Sequence, residues 1–176
     1  MKLKKANLDW ESLRFDAIKT KSMFMATCSN GENWKGGSLV PYGDIKLSPA
    51  AGVLNYGQGV FEGTKAFHTS RDKIVLFRIN RNAERMASST ERLCIPIMDK
   101  EFFMSSVVST VRDNIEFVPP YGKGSLYVRP IVWGTSPALG VQPASEYTFM
   151  VFVSPVGSYF KGGVKPLNLK VETDYH

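Results

Sequence analysis

Arg81, Arg85 and Arg92 stand four and then seven residues apart. On a helix those offsets fall on one face, beside or opposite an apolar stripe. Three guanidiniums on one face do not stabilise one another. Spacing alone leaves two readings open: a solvated basic face, or an anion site, because guanidinium matches phosphate oxygens bidentately. Tyr127 and Arg129 lie two apart in an apolar run from Leu126 to Trp133. On a strand both point to the same face. An arginine buried there must find an anion, and either an internal Asp or Glu or a carboxylate ligand would serve.

Other chemistries are poorly provided for. Lys65, between Gly63-Thr64 and Ala66-Phe67, is the lysine in the most apolar setting, but nothing nearby marks it as a nucleophile, and a surface lysine is expected. His68 is the only internal histidine, which leaves no Ser/His/Asp set. Cys28 and Cys94 cannot make a disulfide framework or a four-ligand zinc site, so no metal is expected. The glycines at Gly57, Gly59 and Gly63 lack the strand-to-helix spacing of a nucleotide loop.

The elements that must position these residues follow from pattern. Met23–Cys28 reads as a strand closed by the turn Ser29-Asn30-Gly31. Gly52, Gly57, Gly59 and Gly63 signal tight backbone geometry. Ile74–Phe77 reads as a buried-type strand. A helix is expected after Asn80 as its cap, with an inner stripe of Ala83, Met86, Ala87, Thr90 and Leu93, stopped by Pro96. A second helix starts near Asp99, with Phe103, Val107, Thr110, Val111 and Asn114 facing inward. Strands follow at 124–133 and 147–153, with a loop over 134–145 and a last strand at 164–172. Strands, two helices, then strands predict an α+β fold: a mostly antiparallel sheet with two helices packed on one face.

Composition bounds the function. At 176 residues, 43% hydrophobic and 12% aromatic, the chain can bury a core and is not intrinsically disordered. No apolar run reaches the ~18 residues of a membrane span, so no membrane role is expected. The net charge of +6 is spread along the chain without a dense block, which fits a single anionic ligand better than nucleic acid. The basic start is followed by Asp9 and Glu11 and forms no signal-peptide core. A cytoplasmic protein is therefore expected.

Four motifs resemble the branched-chain amino acid aminotransferases, pyridoxal-phosphate enzymes of fold type IV. They are Leu47 to Gly63 with Tyr56 and Phe61-Glu62-Gly63; Phe77-Arg78 with Asn82 and Arg85-Met86; Tyr127-Val128-Arg129-Pro130 through Gly134-Thr135 and Leu139-Gly140-Val141; and Ser154 to Phe160. They come in the family's order and cover nearly the whole chain from about residue 10.

The resemblance implies that pyridoxal 5′-phosphate is the cofactor and that Arg85 holds its phosphate. It places Tyr127 beside the substrate α-carboxylate, and Arg129 at the side-chain carboxylate of glutamate. Tyr56 and Tyr159 become aromatic walls of the pocket. Leu139 and Val141, like Tyr56, reach the neighbouring subunit's site, so a homodimer with shared active sites is implied. The reaction is transfer of the amino group of leucine, isoleucine or valine to 2-oxoglutarate; branched-chain amino acids and 2-oxo acids are the partners, with no nucleic acid and no membrane.

In the family the Schiff-base lysine lies on a large domain, beyond the last residue here. The implied organisation is an N-terminal extension at 1–22, a small α+β domain at 23–170 and the start of an interdomain connection at 171–176. No catalytic residue is then expected within the chain, and the chain alone is expected to be inactive. The nearest alternatives of the same fold type are a D-amino acid transaminase and an aminodeoxychorismate lyase. An alternative of another class is a non-catalytic truncated paralogue acting as a dimerisation or interaction domain.

Overall fold

The computed structural model describes residues 4–157 and 166–173. Eleven segments follow in order: β1 (Ser22–Ser29), β2 (Ser38–Pro41), α1 (Gly52–Tyr56), β3 (Gly59–Phe61), β4 (Thr64–His68), β5 (Ile74–Leu76), α2 (Ile79–Arg92), α3 (Lys100–Asp113), a short 3-10 turn at Ile115–Phe117, β6 (Ser125–Gly134) and β7 (Glu146–Val156). The seven strands form one sheet in the order β2-β1-β7-β6-β4-β5, with β3 also on β6. Every pairing is antiparallel. The α+β expectation therefore holds.

β6 and β7 form the centre because both are apolar on two faces. They pair from Ser125 with Val156 to Gly134 with Tyr147. Leu126, Val128 and Val132 of β6 are fully buried against the helices. Tyr127, Arg129 and Ile131 alternate with them and lie half-buried on the other face, as a two-residue period requires.

α3 carries the predicted inner stripe and is capped by Asp99, whose Oδ1 accepts from the Glu101 and Phe102 N–H groups at 2.8 and 3.2 Å. Its Phe103 packs on Phe149 of β7, and Phe24, Trp34 and Phe102 close an aromatic cluster with ring centroids 6.0 to 6.4 Å apart. Burying each such side chain contributes roughly 1.5–3 kcal/mol. Asn114 ends the helix and ties it to β1: fully buried, its carboxamide accepts from Lys21 and Ser22 N–H and donates to the Ser22 and Thr110 carbonyls.

Five local expectations change. α2 begins at Ile79, so Asn80 lies inside its first turn and caps nothing. The cap position is Arg78, with φ of 50° and no side-chain bond to the helix. Leu93 does not join the buried stripe of Asn82, Ala83, Met86 and Thr90; it is partly exposed past the helix end. β5 is not buried: it is the sheet's edge, paired only with β4, so Val75 and the following Phe77 face outward. The described part of the expected last strand, 166–172, is irregular, since Pro166 has no N–H to give a ladder and Leu167, Leu169 and Val171 stand exposed. A short third helix, α1, occupies the glycine-rich stretch and closes on Gly57 at φ 66°.

Candidate functional site

The site grows from a break in the sheet. β3 and β4 both pair with β6, Phe61 with Ile131 and Thr64 with Val128, so Glu62 and Gly63 stand opposite Pro130 and Arg129. Glu62 donates its N–H to the Pro130 carbonyl at 2.9 Å. Proline has no N–H to return the bond, so the ladder fails there. By alternation the Glu62 side chain turns to the helix side of the sheet, as Pro130 does, and Gly63 faces the other side.

On the helix side the Glu62 carboxylate meets α2. Its Oε1 accepts from Arg85 Nε and its Oε2 from Arg85 Nη2, both at 2.8 Å. Oε2 also accepts from Asn82 Nδ2 at 2.7 Å and from the Gly63 N–H at 3.3 Å, and Asn82 bonds the Gly63 carbonyl. The bond to Glu62, and then its charge, hold the Arg85 guanidinium above its usual pKa. A groove opens beside this pair, lined by Thr64, Arg78, Arg81, Asn82, Arg85 and Ser88 among others. Arg81 is engaged by Glu84 at 2.6 Å; bonds from Arg81 and Lys100 hold Glu84 below the usual carboxylate range. Arg92 lies on the same helix but lines a separate depression with Ser88, Ser89 and Val60.

On the other side, Arg129 Nη2 donates to the Tyr127 hydroxyl at 2.7 Å. The guanidinium lies 4.3 Å from the Phe61 ring centroid and 5.1 Å from that of Tyr127. Its Nε is buried and has no hydrogen-bond partner. Among the described residues no carboxylate pairs with it. Of the two readings left open by the sequence, the internal acid is therefore not realised among the described residues. Lys65 faces Tyr127 directly in register and is half-buried rather than fully at the surface.

The expected site residues thus fall into three places. Arg85 sits at the groove on α2. Tyr127 and Arg129 sit together on the open sheet face. Tyr56 donates its hydroxyl to the Leu139 carbonyl, within a loop whose Leu139 and Val141 side chains are 89% and 88% exposed. Tyr159 lies outside the described residues. Glu62, Asn82 and Phe61 were given no individual role by sequence reasoning. The usable signals were a buried-side asparagine inside an apolar helix stripe and a proline inside an apolar strand.

A sheet with its two long helices on one face and an arginine among aromatic rings on the other defines a small α+β domain of the fold type IV aminotransferase kind. The crystal structure of the T.th. branched-chain amino acid aminotransferase with pyridoxamine 5′-phosphate matches it with a TM-score of 0.60 and 30% identity, over 82% of this chain and 43% of that one. A chloroplastic branched-chain-amino-acid aminotransferase of Arabidopsis thaliana is 50% identical over 171 residues, 97% of this chain and 41% of that relative. A mitochondrial one from Humulus lupulus is 47% identical, over 97% of this chain and 43% of its own length. The chain is similar to these branched-chain aminotransferases over 97% of its own length, and spans about two fifths of theirs. No family-level sequence profile matches it.

These comparisons overturn the expected cytoplasmic location, since relatives at 47% to 50% identity are named chloroplastic or mitochondrial. Asp9 and Glu11 had argued against a signal peptide. They belong instead to a segment that packs on the domain, with Ala6 N–H on the Glu116 carbonyl and Ile18 N–H on Ser154 Oγ, each at 2.9 Å. Composition there reports folding, not address.

Proposed function

We propose that this chain is the small-domain part of a pyridoxal 5′-phosphate aminotransferase that moves the amino group of leucine, isoleucine or valine to 2-oxoglutarate. The observation that carries this is Arg129. Its buried Nε has no partner, its surroundings are Phe61, Tyr127 and Ile131, and no acid among the described residues reaches it. A guanidinium beside Phe61 and Tyr127, with no acid partner among the described residues, suits both an aliphatic side chain and the carboxylate of glutamate. Tyr127 fixes the guanidinium and offers its ring as a wall for the substrate.

The groove residues fit the cofactor's phosphate. α2 begins uncapped, has no acidic residue in its first turn, and presents Arg78, Arg81 and Arg85. Free N–H groups at a helix start and guanidiniums beside them favour a dianion. Glu62 uses two of the five N–H bonds of Arg85, leaving three for phosphate oxygens. When bound, pyridoxal phosphate supplies the electron sink that amino-group transfer needs. The groove lining includes no lysine, so the imine-forming lysine is assigned to a large domain of the complete protein. In this reading residues 23–170 form the small domain and 171–176 lead out of it.

A homodimer completes the reading. Tyr56 anchors the loop that carries Leu139 and Val141, and side chains so exposed and apolar suit a partner's site.

Arg129→Met in the complete protein tests the substrate assignment. The expected result is a fall of about a hundredfold in kcat/KM for glutamate, the scale of losing one desolvated charge pair. kcat/KM for leucine should change by only a few-fold. An equal fall for both substrates, or none for either, would overturn it.

A further inference from the structure

We infer that Glu62 is a positioning residue, holding the Arg85 guanidinium in the one orientation that presents its free edge to an anion in the α2 groove. The inference rests on the phosphate assignment made above and adds a residue to it.

The two side chains differ in exposure: 11% for Glu62 and 60% for Arg85. An arginine so open would otherwise sample many rotamers, and binding would have to order it. Glu62 removes that freedom with two parallel bonds at 2.8 Å. Two parallel bonds fix the plane of the guanidinium as well as its position. The carboxylate is itself fixed, by Asn82 Nδ2 at 2.7 Å and by the Gly63 N–H. Asn82 is buried one turn before Arg85, so the strap and the arginine share one helix. Strand alternation opposite Pro130 puts the Glu62 side chain on the helix side, where it meets them.

An opposing effect gives the test its sign. A carboxylate beside Arg85 also cancels part of the field that attracts an anion. If Glu62 were only a counter-charge, removing its charge would tighten anion binding. If it positions Arg85, removal loosens binding despite the gain in net charge. Glu62→Gln keeps the shape but puts an amide N–H₂ where one acceptor was, so it cannot take both bonds.

The experiment titrates inorganic phosphate and pyridoxamine 5′-phosphate into the unaltered chain, Glu62→Gln, Glu62→Asp and Arg85→Gln, with calorimetry as the readout. The Arg85 Nε–H resonance is followed by NMR without ligand. The expected result is about tenfold weaker binding by Glu62→Gln, the scale of one charge-assisted hydrogen bond. Glu62→Asp should recover part of it. The Arg85 Nε–H signal, protected in the unaltered chain, should broaden in Glu62→Gln. Unchanged or tighter binding by Glu62→Gln, with the signal intact, would overturn the inference while leaving the phosphate assignment standing. Binding that survives Arg85→Gln would instead overturn the phosphate assignment, and the inference with it. Should Glu62→Gln fail to fold, Asn82→Ser decides. It loosens the strap without touching either charge and should weaken binding two- to threefold, whereas no change would count against positioning.

Discussion

The hydroxyl of Tyr127 occupies the space that a side chain on Gly63 would need. A Cβ built at position 63 overlaps that oxygen and crowds the ring carbon behind it. The same hydroxyl accepts the bond from Arg129. Gly63 is therefore the floor on which the sheet-side arginine is set, and its neighbour Glu62 sets the helix-side one. Two consecutive residues at one break in a strand control two guanidiniums on opposite faces of the sheet.

Gly63→Ala is expected to push Tyr127 aside and free Arg129. The cost in stability should be about 1–3 kcal/mol, as for other overpacked sites, measured by urea unfolding. Binding of a dicarboxylate such as glutarate should weaken in parallel. A variant as stable as the parent, with the same affinity, would show that Tyr127 has room to move.

Asn114→Ala should cost more. The carboxamide serves four backbone groups of Lys21, Ser22 and Thr110 in a site closed to solvent. Leaving several of them unpaired is expected to cost about 2–4 kcal/mol. The lost midpoint in denaturant reads this directly, and α3 should loosen from β1.

Asp113 gives the fold an acid limb. Bonds from Lys21 Nζ at 2.6 Å and Ser22 Oγ at 2.5 Å hold its pKa below the usual carboxylate value. A carboxyl whose folded pKa is depressed contributes stability above its unfolded pKa of about 3.9. That contribution is lost as pH falls through the lower folded value. Asp113→Asn should thus be less stable than the parent at neutral pH, and the gap should close towards pH 2. Unfolding midpoints across that range check it.

The Leu139 and Val141 loop bears on assembly. Replacing both residues with aspartate should shift a dimer of the complete protein towards monomer in sedimentation experiments, with the monomer still folded. A dimer that persists unchanged at low micromolar concentration would remove this loop from the interface.

Much of this protein was legible because local geometry repeats. A two-residue period put Tyr127 and Arg129 on one face and the buried valines on the other. A helical period gave the inner stripe of α3, and Asp99 announced its start. These patterns are properties of a backbone conformation and need no knowledge of what lies across from them.

What the pattern could not supply were the relations between distant segments. Nothing local distinguishes Ile74–Leu76 as an edge strand, because burial depends on having a second neighbour. Nothing local joins Lys21 and Ser22 to Asn114, more than ninety residues away. The sequence by itself determined that Arg85 would stand on an exposed helix face and Arg129 within a strand. The packing of distant segments is what gives the first to Glu62 and leaves the second with no acid among the described residues. Periodicity fixes the direction in which a side chain leaves its own element, whereas its partner is set by where the ladder breaks and which element crosses the gap.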